Sequence, residues 1–305
     1  MSAGWVAGST RARLLVGDTV GRRASELIAR SSGLREALGL LAATKFQSAA
    51  EARTLRDAQR LITERLALDV RQLAGWLPPR GIPVVRSLAG WFEIQNVEDR
   101  LAYLNGGALP VPFVLGSLAL AWPRLEAAET PPELRQALQG SVWGDPGGDS
   151  PYAVHLGMRV AWARQVMRTT PEARNWAGAA LALLIARERF LAHRPPEALY
   201  EVRRELGGPW RAAASIREFV AALSPRIAVP FDPAEDPCDL WRSEIRWWRW
   251  VAGEAAGMVN RSREGRAVIV GAVALLASDA MQVSAALAAA DWQTPDAMEA
   301  FDGLA

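Results

Sequence analysis

The residues that most often carry out acid–base, nucleophilic or metal chemistry are scarce in this chain of 305 residues. It contains two histidines, His155 and His193, and one cysteine, Cys238. A zinc site needs three or four ligands, usually nitrogen or sulfur, and these three side chains lie far apart in sequence. Both histidines have mostly apolar neighbours, which is typical of a partly buried structural residue. The sequence therefore predicts no metal site and no cofactor.

The common nucleotide and hydrolase motifs are missing as well. Lys45 is the only lysine beside 34 arginines, and it lies in Ala-Thr-Lys-Phe rather than behind the glycines of a phosphate-binding loop. The chain has neither a Gly-x-Gly-x-x-Gly dinucleotide motif nor a Gly-x-Ser-x-Gly nucleophile motif. Composition and motifs therefore argue against most familiar kinds of catalysis.

Two groups of carboxylates lie beside turn-forming residues. Asp145 and Asp149 flank Pro-Gly-Gly, and a second group lies among prolines, formed by Asp232, Glu235 and Asp236. A calcium loop would need more ligands and an acidic residue at a fixed offset. Aspartate next to proline and glycine is typical of turns, which is the interpretation we favour.

The segment from Trp241 to Trp250 combines tryptophan with arginine. On a helix, Trp241, Ile245 and Trp248 would form one stripe, while a second stripe would consist of Arg242, Arg246 and Arg249. This pattern suits stacking on single-stranded nucleic acid, but it also suits a core stripe with a solvated arginine side. We favour the core and predict no nucleic-acid partner, because a formal net charge of +2 is too small for such binding.

The elements that would position these residues are helical throughout. Stretches rich in Ala, Leu, Arg and Glu alternate with short Pro/Gly breaks, and half of the residues are hydrophobic. Apolar residues recur at helical spacing, as in Ile94, Val97, Leu101 and Leu104. We found no sustained polar–apolar alternation that would indicate strands. The predicted class is all-α, with about ten to twelve helices.

No segment is predicted to cross a membrane. The most apolar run, residues 267–278, is bounded by Arg266 and Asp279 and reaches about 12 of the roughly 20 residues needed. The start of the chain lacks the apolar stretch of a signal peptide, and a single cysteine fits a reducing compartment. We expect a cytoplasmic protein.

A repeat underlies the helical pattern. Leu41-Ala-Ala-Thr-Lys-Phe46 and Leu138-Gln-Gly-Ser-Val-Trp143 share the motif Leu-x-x-(Thr/Ser)-x-aromatic, and they follow Leu34-Arg-Glu-Ala-Leu38 and Glu133-Leu-Arg-Gln-Ala137. Gly-Gly breaks at residues 106–107 and 207–208 keep a similar interval. Leu287 to Trp292 is a candidate third copy. Helical repeats usually form stacked modules that offer an extended surface rather than one pocket.

Taken together, these motifs resemble a family of central-stalk proteins of V/A-type ATPases, designated C in archaea and bacteria and d in vacuolar ATPases. The residues that carry the resemblance are Trp5 with Arg11 and Arg13, the segment Leu41 to Phe46, Glu93-Ile-Gln-Asn96 followed by Arg100, a predicted helix beginning Leu115-Gly-Ser-Leu118, and Trp143 in the second repeat.

The resemblance implies three similar helical domains arranged as a funnel, here residues 1–108, 109–208 and 209–305. Such a protein is non-catalytic, lies at the membrane through its complex, and couples the rotor shaft to the proteolipid ring in proton or sodium transport. Glu93, Asn96 and Arg100 would bind a partner or hold the funnel wall in shape. The alternative is a free-standing helical-repeat adaptor that binds a protein or peptide.

Overall fold

The computed structural model describes residues 3–194, 206, 209–233 and 236–304. Within these ranges the chain forms helices and loops and no strand, which confirms the predicted all-α class. The α-helices, in chain order, are α1 (Ala3–Gly17), α2 (Gly21–Ala29), α3 (Leu34–Leu41), α4 (Leu55–Ala74), α5 (Ile82–Leu104), α6 (Trp122–Leu125), α7 (Pro131–Gln139), α8 (Pro151–Thr169), α9 (Arg174–Ala186), α10 (Ile216–Ala222), α11 (Pro225–Ala228), α12 (Leu240–Arg261), α13 (Arg266–Trp292) and α14 (Pro295–Leu304).

Two compact units make up the chain: unit 1 contains Met1–Gly81 and Trp248–Ala305, and unit 2 contains Ile82–Trp247. The predicted division into residues 1–108, 109–208 and 209–305 remains a prediction, and Gly207-Gly208 lies outside the described residues.

Unit 1 is built around α13, which packs against α1, α2, α3, α4 and α14. Its core is formed by apolar side chains that include Ile28, Leu41, Phe46, Ile62, Val283, Leu287 and Phe301. The predicted apolar run is only the first part of this 27-residue helix, which is long and apolar enough to span a membrane, with a mean hydropathy of 1.7 over its best window. More than half of that window is buried inside the protein, as in the core helix of a globular fold.

The turn between α12 and α13 is held by the first helix. Gly265 has a φ of +106°, a conformation that side chains rarely adopt, and its N–H donates to Ser9 Oγ at 3.0 Å. Arg13 Nη2 donates to the carbonyls of Ser262 and Arg263 at 2.6 and 2.9 Å. The basic opening helix therefore fixes the point at which the chain enters α13.

Unit 2 consists of α5, α8 and α9, with the short helices packed along them. The predicted stripe on α5 is confirmed, because Ile94, Val97 and Leu101 are at most 2% exposed. The prediction of a helix beginning at Leu115 is wrong, because only a 3₁₀ turn, Gly116–Leu118, forms there. Gly116 has a φ of +55°, outside helical values, and two prolines precede it in this segment.

Candidate functional site

Helix α5 carries the predicted polar residues on one face. Glu93 and Asn96 are 0% and 1% exposed, and Arg100, one turn further on, is half-buried. A buried carboxylate or amide is stable only when its hydrogen-bonding groups find partners. In all three cases the partners are backbone groups or an indole N–H between residues 113 and 143.

Glu93 accepts three hydrogen bonds. The N–H groups of Leu120 and Ala121 donate to its two carboxylate oxygens at 2.6 and 2.8 Å, and Trp143 Nε1 donates to Oε1 at 2.7 Å. Hydrogen bonds to an ionised group are roughly twice as strong as neutral ones. Glu93 therefore connects α5 both to the segment before α6 and to the loop after α7.

Asn96 and Arg100 bind the segment that follows α5, one before and one after the Leu120–Ala121 contact of Glu93. The Asn96 amide exchanges two hydrogen bonds with Phe113: Nδ2 donates to its carbonyl at 3.0 Å, and its N–H donates to Oδ1 at 2.7 Å. Arg100 donates through Nε and Nη2 to the carbonyl of Ala128, at 3.1 and 2.7 Å. These three side chains hold residues 113–128 against α5.

Replacing Asn96 by alanine removes the two hydrogen bonds that its amide exchanges with the backbone of Phe113. We expect a loss of about 1–3 kcal/mol in the free energy of unfolding, because a hydrogen bond contributes about 0.5–1.5 kcal/mol. Urea denaturation measures the loss. Asn105→Ala, which removes an exposed amide just beyond the same helix, is the control and is expected to change stability by less than half as much. An equal effect of both substitutions would contradict a special role for Asn96.

The two Leu-x-x-(Thr/Ser)-x-aromatic segments have the same local structure. Thr44 Oγ1 donates to the carbonyl of Leu41 at 2.8 Å and accepts from the N–H of Phe46 at 3.1 Å. Ser141 Oγ donates to the carbonyl of Leu138 at 2.7 Å and accepts from the N–H of Trp143 at 3.1 Å. Both aromatic rings are buried.

The prediction of a third copy of this motif at residues 287–292 is wrong. It lies within the continuous helix α13, and Trp292 is 61% exposed where Phe46 and Trp143 are at most 4% exposed. A hydroxyl at the fourth position shapes the loop in the two true copies, whereas the candidate has alanine there and remains helical.

A different arrangement, a glutamate cap on a short helix, occurs three times in the described part of the chain. In α3, α7 and α10 the third residue is a glutamate whose carboxylate accepts the backbone N–H of the residue two positions before the helix. The donor–acceptor pairs are Ser32–Glu36 at 2.8 Å, Glu129–Glu133 at 2.9 Å and Ala214–Glu218 at 2.8 Å. This is a variant of the helix-capping box.

Each of these capped helices is also tied to a long helix. Gln293 at the end of α13 donates to the carbonyl of Ser32 at 2.7 Å, and Arg100 on α5 donates to that of Ala128. In the π-helical turn after α9, Arg189 donates to the carbonyl of Ala213. The donor differs among the three: Gln293 lies just beyond α13, Arg100 lies within α5, and Arg189 lies in the turn after α9. What the three have in common is that a carbonyl two or three positions before the short helix accepts the bond.

Sequence analysis missed a second buried polar group, in unit 1. Lys45 Nζ lies 3.0 Å from Asp279 Oδ2, with side-chain exposures of 2% and 4%. Asp279 Oδ1 accepts the N–H of Gly21, the first residue of α2, at 3.0 Å. Asp279 also lines a pocket of about 180 Å³ bounded by Val16, Thr19, Gly21, Trp248, Ala252, Leu275, Ser278, Gln282 and Leu304. The signal in the sequence for this buried pair was that Lys45 is the only lysine among 35 basic residues.

His155 forms part of a surface cluster rather than an isolated structural site. Its Nδ1 lies 2.8 Å from Glu98 Oε1, and Arg159 bonds to the same carboxylate while stacking on Trp91. Burial alone would raise the pKa of Glu98, but hydrogen bonds from His155 and Arg159 hold that pKa below its ordinary value. The carboxylate is therefore a fixed anion between two donors.

The remaining carboxylates act in turns, as predicted, where they are described. Asp145 accepts from Arg135 and from the N–H of Gly147, and these bonds lower its pKa to about 2. Asp236 Oδ1 accepts the N–H of Cys238. Glu235 lies outside the described residues. Across the described ranges, no three His, Cys, Asp or Glu side chains are grouped as metal ligands would be.

The tryptophan- and arginine-rich segment contributes to packing in a different register from the predicted one. Trp241, Ile245 and Trp248 are half-buried, because the fully buried face of α12 runs through smaller residues, among them Leu240, Ser243, Val251 and Ala255. Arg246 donates to the carbonyl of Pro230 at 2.8 Å, and Trp247 Nε1 donates to that of Trp176 at 2.9 Å. Arg242 and Arg249 are exposed.

Neither a protein-family model nor a curated protein matches this chain.

Proposed function

We propose that this chain is a non-catalytic component of a V/A-type rotary ATPase that couples the rotor shaft to the proteolipid ring. The observation that supports the proposal is a glutamate-capped short helix that occurs three times among the described residues, each time with a preceding carbonyl that accepts from a side chain on or just beyond another helix. Three similar helical modules are what the resemblance to the central-stalk family implies. A funnel built from them would provide a cavity for the shaft without requiring a catalytic residue.

The use of polar side chains supports a mechanical role. Glu93, Asn96 and Arg100 are bonded to the backbone of their own unit, so their chemistry is directed at holding loops against a long helix. Fully satisfied buried networks make a fold more rigid and more specific. A protein that transmits torque needs such rigidity, and this supports the funnel-wall role for the three residues over direct binding of a partner.

In this proposal the modules differ from the division by sequence order. Helix α13 near the end of the chain and α3 near its beginning belong to one module, in unit 1. The other two, α5–α7 and α9–α10, follow one another in unit 2. The third repeat would then begin with α9 rather than at residue 209.

Co-purification from native membranes tests the assignment. A tagged copy, extracted in mild detergent, is expected to retain both the shaft protein and the proteolipid of a rotary ATPase. A chromosomal cluster with genes for the catalytic, shaft and proteolipid components would agree. Recovery of neither partner would contradict the proposal.

A free-standing adaptor is the second candidate, and one observation favours it. The segment before the Gly116 turn exposes Val111 and Val114 by 76% and 66%, while Phe113 between them is buried. Exposed apolar side chains on a fixed backbone are common in protein-binding surfaces. An adaptor would bind its partner in membrane-free extracts, and the loss of that binding in Val111→Ser would separate it from the ATPase component.

A further inference from the structure

A cluster of buried charges in unit 1 is not explained by the coupling role. Asp69 on α4 is 1% exposed, and its Oδ1 accepts from Arg65 Nε at 2.9 Å. Its second oxygen, Oδ2, is buried and has no hydrogen-bond partner among the described residues. A buried carboxylate oxygen without a donor favours the protonated form of the acid.

A second buried carboxylate lies in the same unit. Lys45 Nζ lies 3.0 Å from Asp279 Oδ2 on α13. Asp69 is bonded instead to Arg65, and the charge of Lys45 acts on it only at longer range. The second cation, Arg65, is 30% exposed and is partly screened by solvent.

Charged groups approach Asp69 from several packed elements, and burial has the largest effect among them. Burial raises the pKa of Asp69, Arg65 and Lys45 oppose that rise, and the carboxylate of Asp18 adds to it. The three groups that act on it are Arg65 on α4 itself, Lys45 after α3 and Asp18 after α1. Three further charged groups lie on elements packed against α4: Arg11 on α1, which donates to Gln72 at 2.9 Å, the exposed Glu51 in the turn before α4, and Asp279 on α13, which pairs with Lys45.

We propose that Asp69 takes up a proton on its buried, unpartnered Oδ2 as the solution is acidified, which stabilises unit 1, where α4 packs against α13. The proton removes the negative charge from a site that offers Oδ2 no donor. The cluster thus makes the stability of unit 1 sensitive to pH, independently of any partner.

The direction of the effect follows from the proton balance. Asp69 has a higher pKa in the folded protein than the 3.8 of an ordinary aspartate, so the folded state binds more protons between these two values. The stabilisation is complete below the ordinary pKa and is lost as the pH rises through the folded pKa. Asp69→Asn, which carries no charge at any pH, lacks this dependence.

A single lysine makes the titration directly observable. In full-length protein labelled with ¹³C at the lysine ε-carbon, one side-chain signal arises, from Lys45, and NMR follows it with pH. The expected result is a step with its midpoint above 3.8, which disappears in Asp69→Asn. The absence of such a step in the wild-type protein would overturn the proposal. If Asp69→Asn does not fold, the step must persist in Asp279→Asn, and its loss there would overturn the proposal.

Thermal denaturation provides the second readout. Asp69→Asn is expected to have the higher Tm at pH 7, by roughly 2–4 °C, and this difference should shrink as the pH falls towards the ordinary aspartate value of 3.8. Asp291→Asn, an exposed aspartate on α13, is the matched control and should show no such trend. A variant that is less stable than the wild type at neutral pH would contradict the inference.

Discussion

Glu93→Ala is expected to lower the free energy of unfolding by about 3–5 kcal/mol, because three N–H donors lose their acceptor at about 1–3 kcal/mol each. The substitution leaves the N–H groups of Leu120 and Ala121 and the indole N–H of Trp143 without their acceptor. It also leaves a cavity at a side chain that is 0% exposed.

Urea denaturation followed by circular dichroism gives the size of the loss in stability. Hydrogen exchange shows which backbone amides lose protection. Amides of residues 113–128 should lose protection first, because Glu93 is one of the three side chains that hold them to α5. Glu93→Gln keeps the size and an acceptor oxygen but brings an NH₂ group towards donors, so an intermediate loss is expected. Glu126→Ala removes an exposed carboxylate nearby and should change stability by less than about 0.5 kcal/mol. A similarly small effect of Glu93→Ala would show that the network does not fix the loop.

Lys45→Met has the second-largest expected effect. It removes the ammonium group that pairs with Asp279, and breaking a buried ion pair from one side costs about 3–5 kcal/mol. The loss should be measured at pH 7, where an unpaired buried carboxylate is costly.

The double variant Lys45→Met/Asp279→Asn separates charge from packing. It removes both members of the pair and is expected to recover part of the stability lost in Lys45→Met. Arg56→Met, which removes an exposed cation from the beginning of α4, is the matched control and should have little effect. A double variant that is no more stable than Lys45→Met would mean that packing, and not the charge of Asp279, accounts for the loss.

Local patterns predicted the helices well because they depend on near neighbours. The periodic apolar residues Ile94, Val97 and Leu101 are buried as their spacing predicts. The spacing of Glu93, Asn96 and Arg100 also placed them on one face of α5. Their burial could not be read from spacing, since it depends on partners such as Trp143, which lies 50 residues away.

Contacts between distant segments were beyond the reach of sequence periodicity. Lys45 and Asp279 come from opposite ends of the chain, and no local motif connects them. The interpretation of Leu287 to Trp292 was wrong for a related reason. It relied on an aromatic residue at a fixed offset, whereas the feature that recurs three times is the capping glutamate, present in Ser215-Ile-Arg-Glu218 as in the other two helices.

The proposed coupling function is tested most directly by comparing ATP hydrolysis with ion pumping in membrane vesicles from native cells depleted of this protein. If the proposal is right, hydrolysis by the ATPase head persists and ATP-driven ion uptake is lost. Adding back the purified wild-type protein then restores uptake, while Glu93→Ala restores less. Ion uptake at the wild-type rate in vesicles that lack the protein would contradict the account.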